Sequence, residues 1–365
     1  MKRLISITLS AIILAGCTNM ETDIPEPGPG GEEDTGAVLG INGLNLSVDT
    51  KSIIEGVGND GAGNHLSGIG VMVTKLNGTK VSFYSQDIET QEFHYNGTDW
   101  TADVPLNLAN SEGTVYAWAP LGYDAAIKSS VPVVQGLPIL AAQSFNVNGA
   151  GNEWDTEQED LLYGSAADTP GDETHQAVDK WNHTVDNMYM QHALAKVSFR
   201  IRKASGQVVN SDDYVKKMEL TSVAGNTFAV SPRSASKVTM NLTDGAFGAL
   251  TTASSLTFTA EYTAQLAVYS ADYLSVTHAQ AYGLVAPATV GAMRLKMTLG
   301  PDGLPDATTD RTYETRMDDT SLQNVVWQKG RHYVYTLTAT DQGLEITNVE
   351  VVGWDDAGTT EVPVE

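Results

Sequence analysis

Cysteine is nearly absent from this chain: Cys17 is the single one in 365 residues. No disulfide can form within it, so stability must come from packed cores and hydrogen-bonded backbone. Bases are scarce. Against 45 Asp and Glu stand 21 Lys and Arg, giving a net charge of -24. A nucleic-acid partner needs a basic face, so that class is excluded. Beyond residue 17 no apolar run is long enough for a spanning helix. Helical patterning is confined to a short stretch around Asp212–Met218.

Catalytic signatures are missing as well. There is no Gly-x-Ser-x-Gly elbow and no His-Glu-x-x-His pair. Gly56-Val57-Gly58-Asn59-Asp60-Gly61 has dinucleotide-loop spacing but runs into Ala62-Gly63-Asn64, which cannot open a helix. Asn59, Asp60 and Asn64 lack the terminal acid of a calcium loop. Glu159-Asp160 and Asp318-Asp319 are ordinary neighbours in so acidic a chain. His175 and His183 share a polar, solvated loop with Asp172, Glu173, Asp179 and Asp186, and His192 reads as a hydrogen-bonded structural histidine. No enzyme activity, cofactor or metal is expected. Tyr116, Trp118, Trp154, Trp181, Trp327 and Trp354 form either core or a sugar-stacking surface, and core is the commoner use of aromatics on strands.

What the chain does have begins at its N-terminus. Lys2-Arg3, the apolar run Leu4–Leu14 and then Leu14-Ala15-Gly16-Cys17 have the layout of a lipoprotein signal peptide. Cleavage after Gly16 would leave lipid on Cys17, and stable anchoring takes more than one acyl chain, such as palmitate. Residues 17–36 read as a tether. Pro25, Pro27, Pro29 and neighbouring glycines and acids give it almost nothing to bury.

From residue 37 the pattern is β almost throughout. Val38, Leu44, Leu46 and Val48 share one parity, as in a half-buried strand. Asn77-Gly78 and Asn96-Gly97 separate β-rich runs, and such pairs supply the positive φ a tight hairpin needs. Ala193, Ala195, Val197, Phe199 and Ile201 alternate with Lys196, Ser198, Arg200 and Arg202. Helical winding there would carry charge into the core, so a strand is expected. Later strands are expected over Val238–Leu242, Leu256–Tyr262, Ala281–Val285, Met293–Leu299, His332–Thr338 and Leu344–Val352, punctuated by Asp244-Gly245 and Asp302-Gly303. The fold class is all-β: two tandem β-sandwich domains, 37–205 and 206–365, behind the signal peptide 1–16 and tether 17–36.

Several segments together resemble one family. They are the lipobox through Cys17, Tyr116-Ala117-Trp118-Ala119-Pro120, Asp160-Leu161-Leu162-Tyr163-Gly164, His192-Ala193-Leu194-Ala195-Lys196-Val197, and Trp327-Gln328-Lys329-Gly330-Arg331-His332-Tyr333-Val334-Tyr335, with a last β segment ending at Trp354. In that order they resemble the fimbrillins, lipoprotein pilins of Gram-negative anaerobes, and in particular the minor-fimbrillin-like branch. The resemblance implies transthyretin-like sandwiches and assembly by donor-strand exchange. A trypsin-like or arginine-specific protease would cut after Lys51, before Ser52, and remove a first strand carrying Leu44, Leu46 and Val48. Lysine stands where the family usually has arginine. The candidate donor strand carries Val352, Trp354, Val362 and Val364, with Pro363 interrupting it.

The implied partners are other fimbrial subunits, the outer membrane through lipid on Cys17, the maturation protease, and a host or bacterial surface ligand. The implied location is the outer membrane, then a surface fimbria serving adhesion. A lipid-anchored glycan-binding protein is the alternative reading, and an envelope hydrolase the weakest.

Overall fold

A computed structural model describes residues 36–46, 56–57, 65–147, 154–166, 176–203, 214–225, 227–233, 238–265, 281–301, 308–315, 322–340 and 343–353. Gly16, Cys17, the tether up to residue 35, Val48, Lys51, Ser52, Trp354, Val362 and Val364 lie outside those residues. Among the described residues the secondary structure is strand, and no helix is long and apolar enough to cross a membrane.

The early strands build a nine-stranded sheet. Along its path lie Leu44–Leu46, Met188–His192, Leu162–Ala166, Gly113–Ala119, Gly68–Asn77, Gln91–Tyr95 and Trp100–Ala102. Ile69, Val71 and Val73 point inward from Gly68–Asn77 and meet Phe93, Val115 and Ala117 from its neighbours in one core. Both expected Asn-Gly hairpins form. Gly78 has φ 64 between Gly68–Asn77 and Lys80–Phe83. Gly97 has φ 100, and the Asn96 side-chain oxygen accepts from the Thr98 and Asp99 amides at 2.9 and 2.8 Å.

The later strands build two sheets over a second core. One has six strands: Trp154–Thr156, Ala142–Val147, Ser255–Gln265, Tyr214–Ser222, Met293–Gly300 and Arg311–Glu314. The other has four: Ala281–Val285, Ala195–Lys203, Arg331–Thr340 and Gly343–Gly353. Met218, Leu220, Phe258, Leu295 and Met297 from the first pack against Val197, Phe199, Ile201, Tyr335 and Leu337 from the second. Facing apolar sides of two sheets make a β-sandwich. Within it the Phe199 and Tyr335 rings stack with centroids 5.7 Å apart.

Three local expectations change. The expected helix near 212–218 is strand from Tyr214 on, since Tyr214–Ser222 pairs on both sides and buries Val215, Met218, Leu220 and Ser222. Tertiary pairing overrides a local polar cluster there. The strand expected over 193–201 does not begin at Ala193. His192 ends one strand, Ala193 and Leu194 turn, and Ala195–Lys203 begins another in a different sheet. Nor is its polar parity solvated, for Lys196 and Ser198 are 0% and 1% exposed. The Lys196 ammonium lies 5.9 Å from the Tyr282 ring centroid.

The described residues fall within one compact unit. Sheet pairing runs across residue 205. Ala142–Val147 pairs in parallel with Ser255–Gln265, and Val131–Gln135 pairs with Thr239–Asn241. Ala195–Lys203 pairs only with later strands, Ala281–Val285 and Arg331–Thr340.

Candidate functional site: the N-terminal segment and its groove

Residues 37–46 thread along the first core and are held on both sides. Ala37–Val38 pairs antiparallel with Asn107–Leu108, and the Leu39 amide donates to the Leu106 carbonyl at 2.9 Å. The chain then changes partner. Gly40–Ile41 runs parallel to Thr184–Val185, with the Gly40 and Asn42 amides donating to the His183 and Val185 carbonyls, each at 2.9 Å. The Met188 amide donates to the Gly43 carbonyl at 2.9 Å, and Leu44–Leu46 pairs in parallel with residues 188–190 at the sheet edge. Asn42 and Asn45 donate their side-chain amides to Asp186 and Asn187 at 3.0 and 2.9 Å.

Ahead of Asn42 the side chains insert on a different parity from the one the sequence suggests. Leu39 and Ile41 are 2% and 4% exposed, while Val38 is 46% exposed. Leu44 packs against the same core from partial cover. The switch of pairing partner at Asn42-Gly43 breaks the strict alternation, so Leu39 and Ile41 point inward before Leu44 does. A period-two pattern presumes one continuous strand.

At the other end of the chain, Val352 is paired rather than open. It lies opposite His332 in the antiparallel ladder between Arg331–Thr340 and Gly343–Gly353. Gly343–Gly353 stands at the end of the four-stranded order.

The segments that carry the sequence resemblance meet in space. Residues 116–119 pair with 162–165, residues 162–166 with 188–192, and residues 196–203 with 332–339. The Ala193 amide donates to the Leu161 carbonyl at 2.8 Å, and the Gly330 amide to the Leu194 carbonyl at 2.9 Å. At this seam the His192 Nδ1 lies 2.9 Å from a carboxylate oxygen of Asp160, with both side chains buried. Sequence reading placed His192 as structural but gave no partner, because a contact across 32 positions leaves no periodic trace. Gly164 belongs here because a Cβ at that position would collide with the Tyr189 carbonyl oxygen.

The aromatic residues separate. Tyr116, Trp118 and Trp327 are buried, and the Trp327 Nε1–H donates to the Tyr335 hydroxyl at 3.1 Å. Burial pushes the Tyr335 phenol well above its ordinary pKa, and raises Tyr116 and Tyr333 in the same direction. Tyr123 is raised by burial and by its hydrogen bond to Glu159. Among the described aromatics of this set Trp181 is largely exposed, at 65%, with the Lys180 ammonium 4.8 Å from its ring centroid, while the side chains of Trp154 and Trp354 lie outside the description. Its turn is fixed by Asp179, whose carboxylate accepts from the Trp181 and Asn182 amides at 2.8 and 2.7 Å.

Among the remaining histidines, His332 Nε2 lies 2.7 Å from the Ser198 hydroxyl. His94 stands with Glu92 and Asp103 on the exposed face of one hairpin, its Nε2 at 3.7 and 3.4 Å from their carboxylates. His175 and His278 lie outside the described residues.

A family model described as fimbrillin-like matches residues 58–354. No curated protein matches by sequence. Among solved structures, a candidate cell adhesion protein of Bacteroides uniformis superposes with TM-score 0.51 at 16% identity, over 88% of this chain and 100% of that one. Another, from Bacteroides ovatus, superposes with TM-score 0.50 at 16% identity, over 87% of this chain and 98% of that one. These two likenesses concern the fold. With the family match running across both cores and through every described segment of the seam, the chain belongs to the fimbrillin-like family.

Proposed function

We propose that the chain is a structural subunit of a cell-surface fimbria, exported as a lipoprotein precursor and polymerised by donor-strand exchange. Family membership supports a pilus-type or adhesion role without enzyme activity, and other fimbrial subunits as partners. The observation that carries the finer reading is the hold on residues 37–46. Loss of that segment would unpair the carbonyls of Leu106, His183 and Val185 and the amide of Met188. It would also empty the space filled by Leu39, Ile41 and Leu44. An edge of that kind accepts a strand from another chain, with backbone bonds and side-chain pockets together. Three such side chains contribute about 4–9 kcal/mol before ordering costs.

In this reading lipid on Cys17 holds the precursor at the outer membrane, and a trypsin-like protease cuts between Lys51 and Ser52. Residues 354–365, with Trp354, Val362 and Val364, donate. The two tandem sandwiches divide the chain near residue 205, with strand pairing across that division at Ala142–Val147 and Val131–Gln135. Trypsin treatment of the purified precursor tests the scheme. A single early cut after Lys51 followed by an oligomer ladder is expected. Surface-isolated protein that still begins at Cys17 and stays monomeric refutes it.

A second reading, a surface glycan binder, draws on the exposed Trp181 beside Lys180. Affinity electrophoresis against a polysaccharide panel separates the two. Retardation abolished by Trp181→Ala supports it, and no retardation on any glycan removes it.

A further inference from the structure

A cleft of about 690 Å³ opens at the turn before strand Arg331–Thr340. Its volume suits a ligand or a short chain segment. Apolar side chains, chiefly Phe247, Leu250, Pro287 and Val326, line it together with the exposed cations Lys329 and Arg331. Lys329 is held in place. Its ammonium sits 4.9 Å from the Tyr163 ring centroid and donates to the Asp244 carbonyl oxygen. Asp244 supplies the only carboxylate of the lining, and that carboxylate accepts from the Ala246 amide at 2.9 Å within its own turn. Among the described residues neither cation is ion-paired. In a chain of net charge -24, two such cations over an apolar lining select for an acidic, partly apolar occupant.

The chain itself supplies one. Gly353 is the register partner of Arg331, so the last described strand ends beside this cleft. The residues that follow are Trp354-Asp355-Asp356-Ala357-Gly358-Thr359-Thr360-Glu361-Val362-Pro363-Val364-Glu365. They combine carboxylates with a tryptophan and two valines, the complement of the lining. At about 3.3 Å per extended residue, a few residues suffice to cross the cleft. We infer that segment 354–365 docks in this cleft of its own chain. Its acids face Lys329 and Arg331, and its apolar side chains lie on Phe247, Leu250 and Val326. This concerns the single subunit and holds whether or not the segment later donates a strand to a neighbour.

Limited proteolysis of the full chain with a Glu-specific protease, followed by mass spectrometry, reads the docking at Glu361. Cleavage there is expected to be slow at low salt. It should speed up at least tenfold in Lys329→Glu/Arg331→Glu and in about 0.5 M salt, where screening removes the attraction. Thermal unfolding of the variant should remain one cooperative transition, which shows that the fold survives loss of the Lys329 contacts to Tyr163 and Asp244. Adding Asp355→Lys/Asp356→Lys/Glu361→Lys to the charge-reversed chain, read with a Lys-specific protease, should restore protection. Equal cleavage in parent and variant overturns the inference. So does protection that survives charge reversal, or protection that grows with protein concentration, which would mean docking between copies.

Discussion

Replacing Ile41 by Ala should destabilise the first core by about 2–5 kcal/mol, the range for truncating a buried aliphatic side chain that leaves a cavity. Ile41 is 4% exposed and packs with Leu66, Ile69 and Phe93 in one cluster, so the site cannot relax into solvent. A loss of that size is a large share of an ordinary folding free energy of about 5–15 kcal/mol. The matched control is Val38→Ala. Val38 belongs to the same segment but is 46% exposed, and its truncation should stay within about 0.5 kcal/mol. Urea unfolding of both variants beside the parent measures the difference through the midpoint. If Val38→Ala costs as much as Ile41→Ala, the segment lies in the opposite register. If Ile41→Ala costs under about 0.5 kcal/mol, the segment is not part of the core, and a groove for a replacement strand has no basis.

Asp160→Ala should cost about 3–5 kcal/mol in urea unfolding, because His192 then loses its buried partner, while Asp160→Leu/His192→Leu should cost clearly less. Equal losses would show that the pair does not act as a unit. Gly164→Ala should lower the thermal midpoint by several degrees through collision with the Tyr189 carbonyl, and an unchanged midpoint would contradict the strand spacing described. Alkaline pH should destabilise the chain through Tyr335. Its folded pKa is raised above the unfolded value near 10, so the stability it contributes is full below about pH 10 and falls as pH rises. Absorbance at 295 nm should therefore show Tyr335 ionising only with unfolding, and Tyr335→Phe should flatten that part of the pH dependence.

Much of the fold is legible in local sequence. The strands over 281–285, 293–299, 332–338 and 344–352 stand where alternation places them, give or take a residue or two at their ends. Asn77-Gly78 and Asn96-Gly97 turn as their chemistry requires, because few residues tolerate positive φ. The misplaced helix near 212–218 and the start of the 195–203 strand are failures of another kind. There the deciding interactions are sheet partners more than about 30 residues distant, which a window of ten residues cannot contain.

The amino-acid order alone therefore determined an all-β chain without disulfides and with an acidic surface. Side-chain alternation and turn chemistry act over a few residues and survive in any context. Tertiary structure alone decided that Leu39 and Ile41, not Val38, point inward, that Asp160 meets His192, and that Lys329 and Arg331 border one cleft. Those outcomes depend on which strand lies beside which, and pairing across a hundred positions is selected by the packing of the whole core.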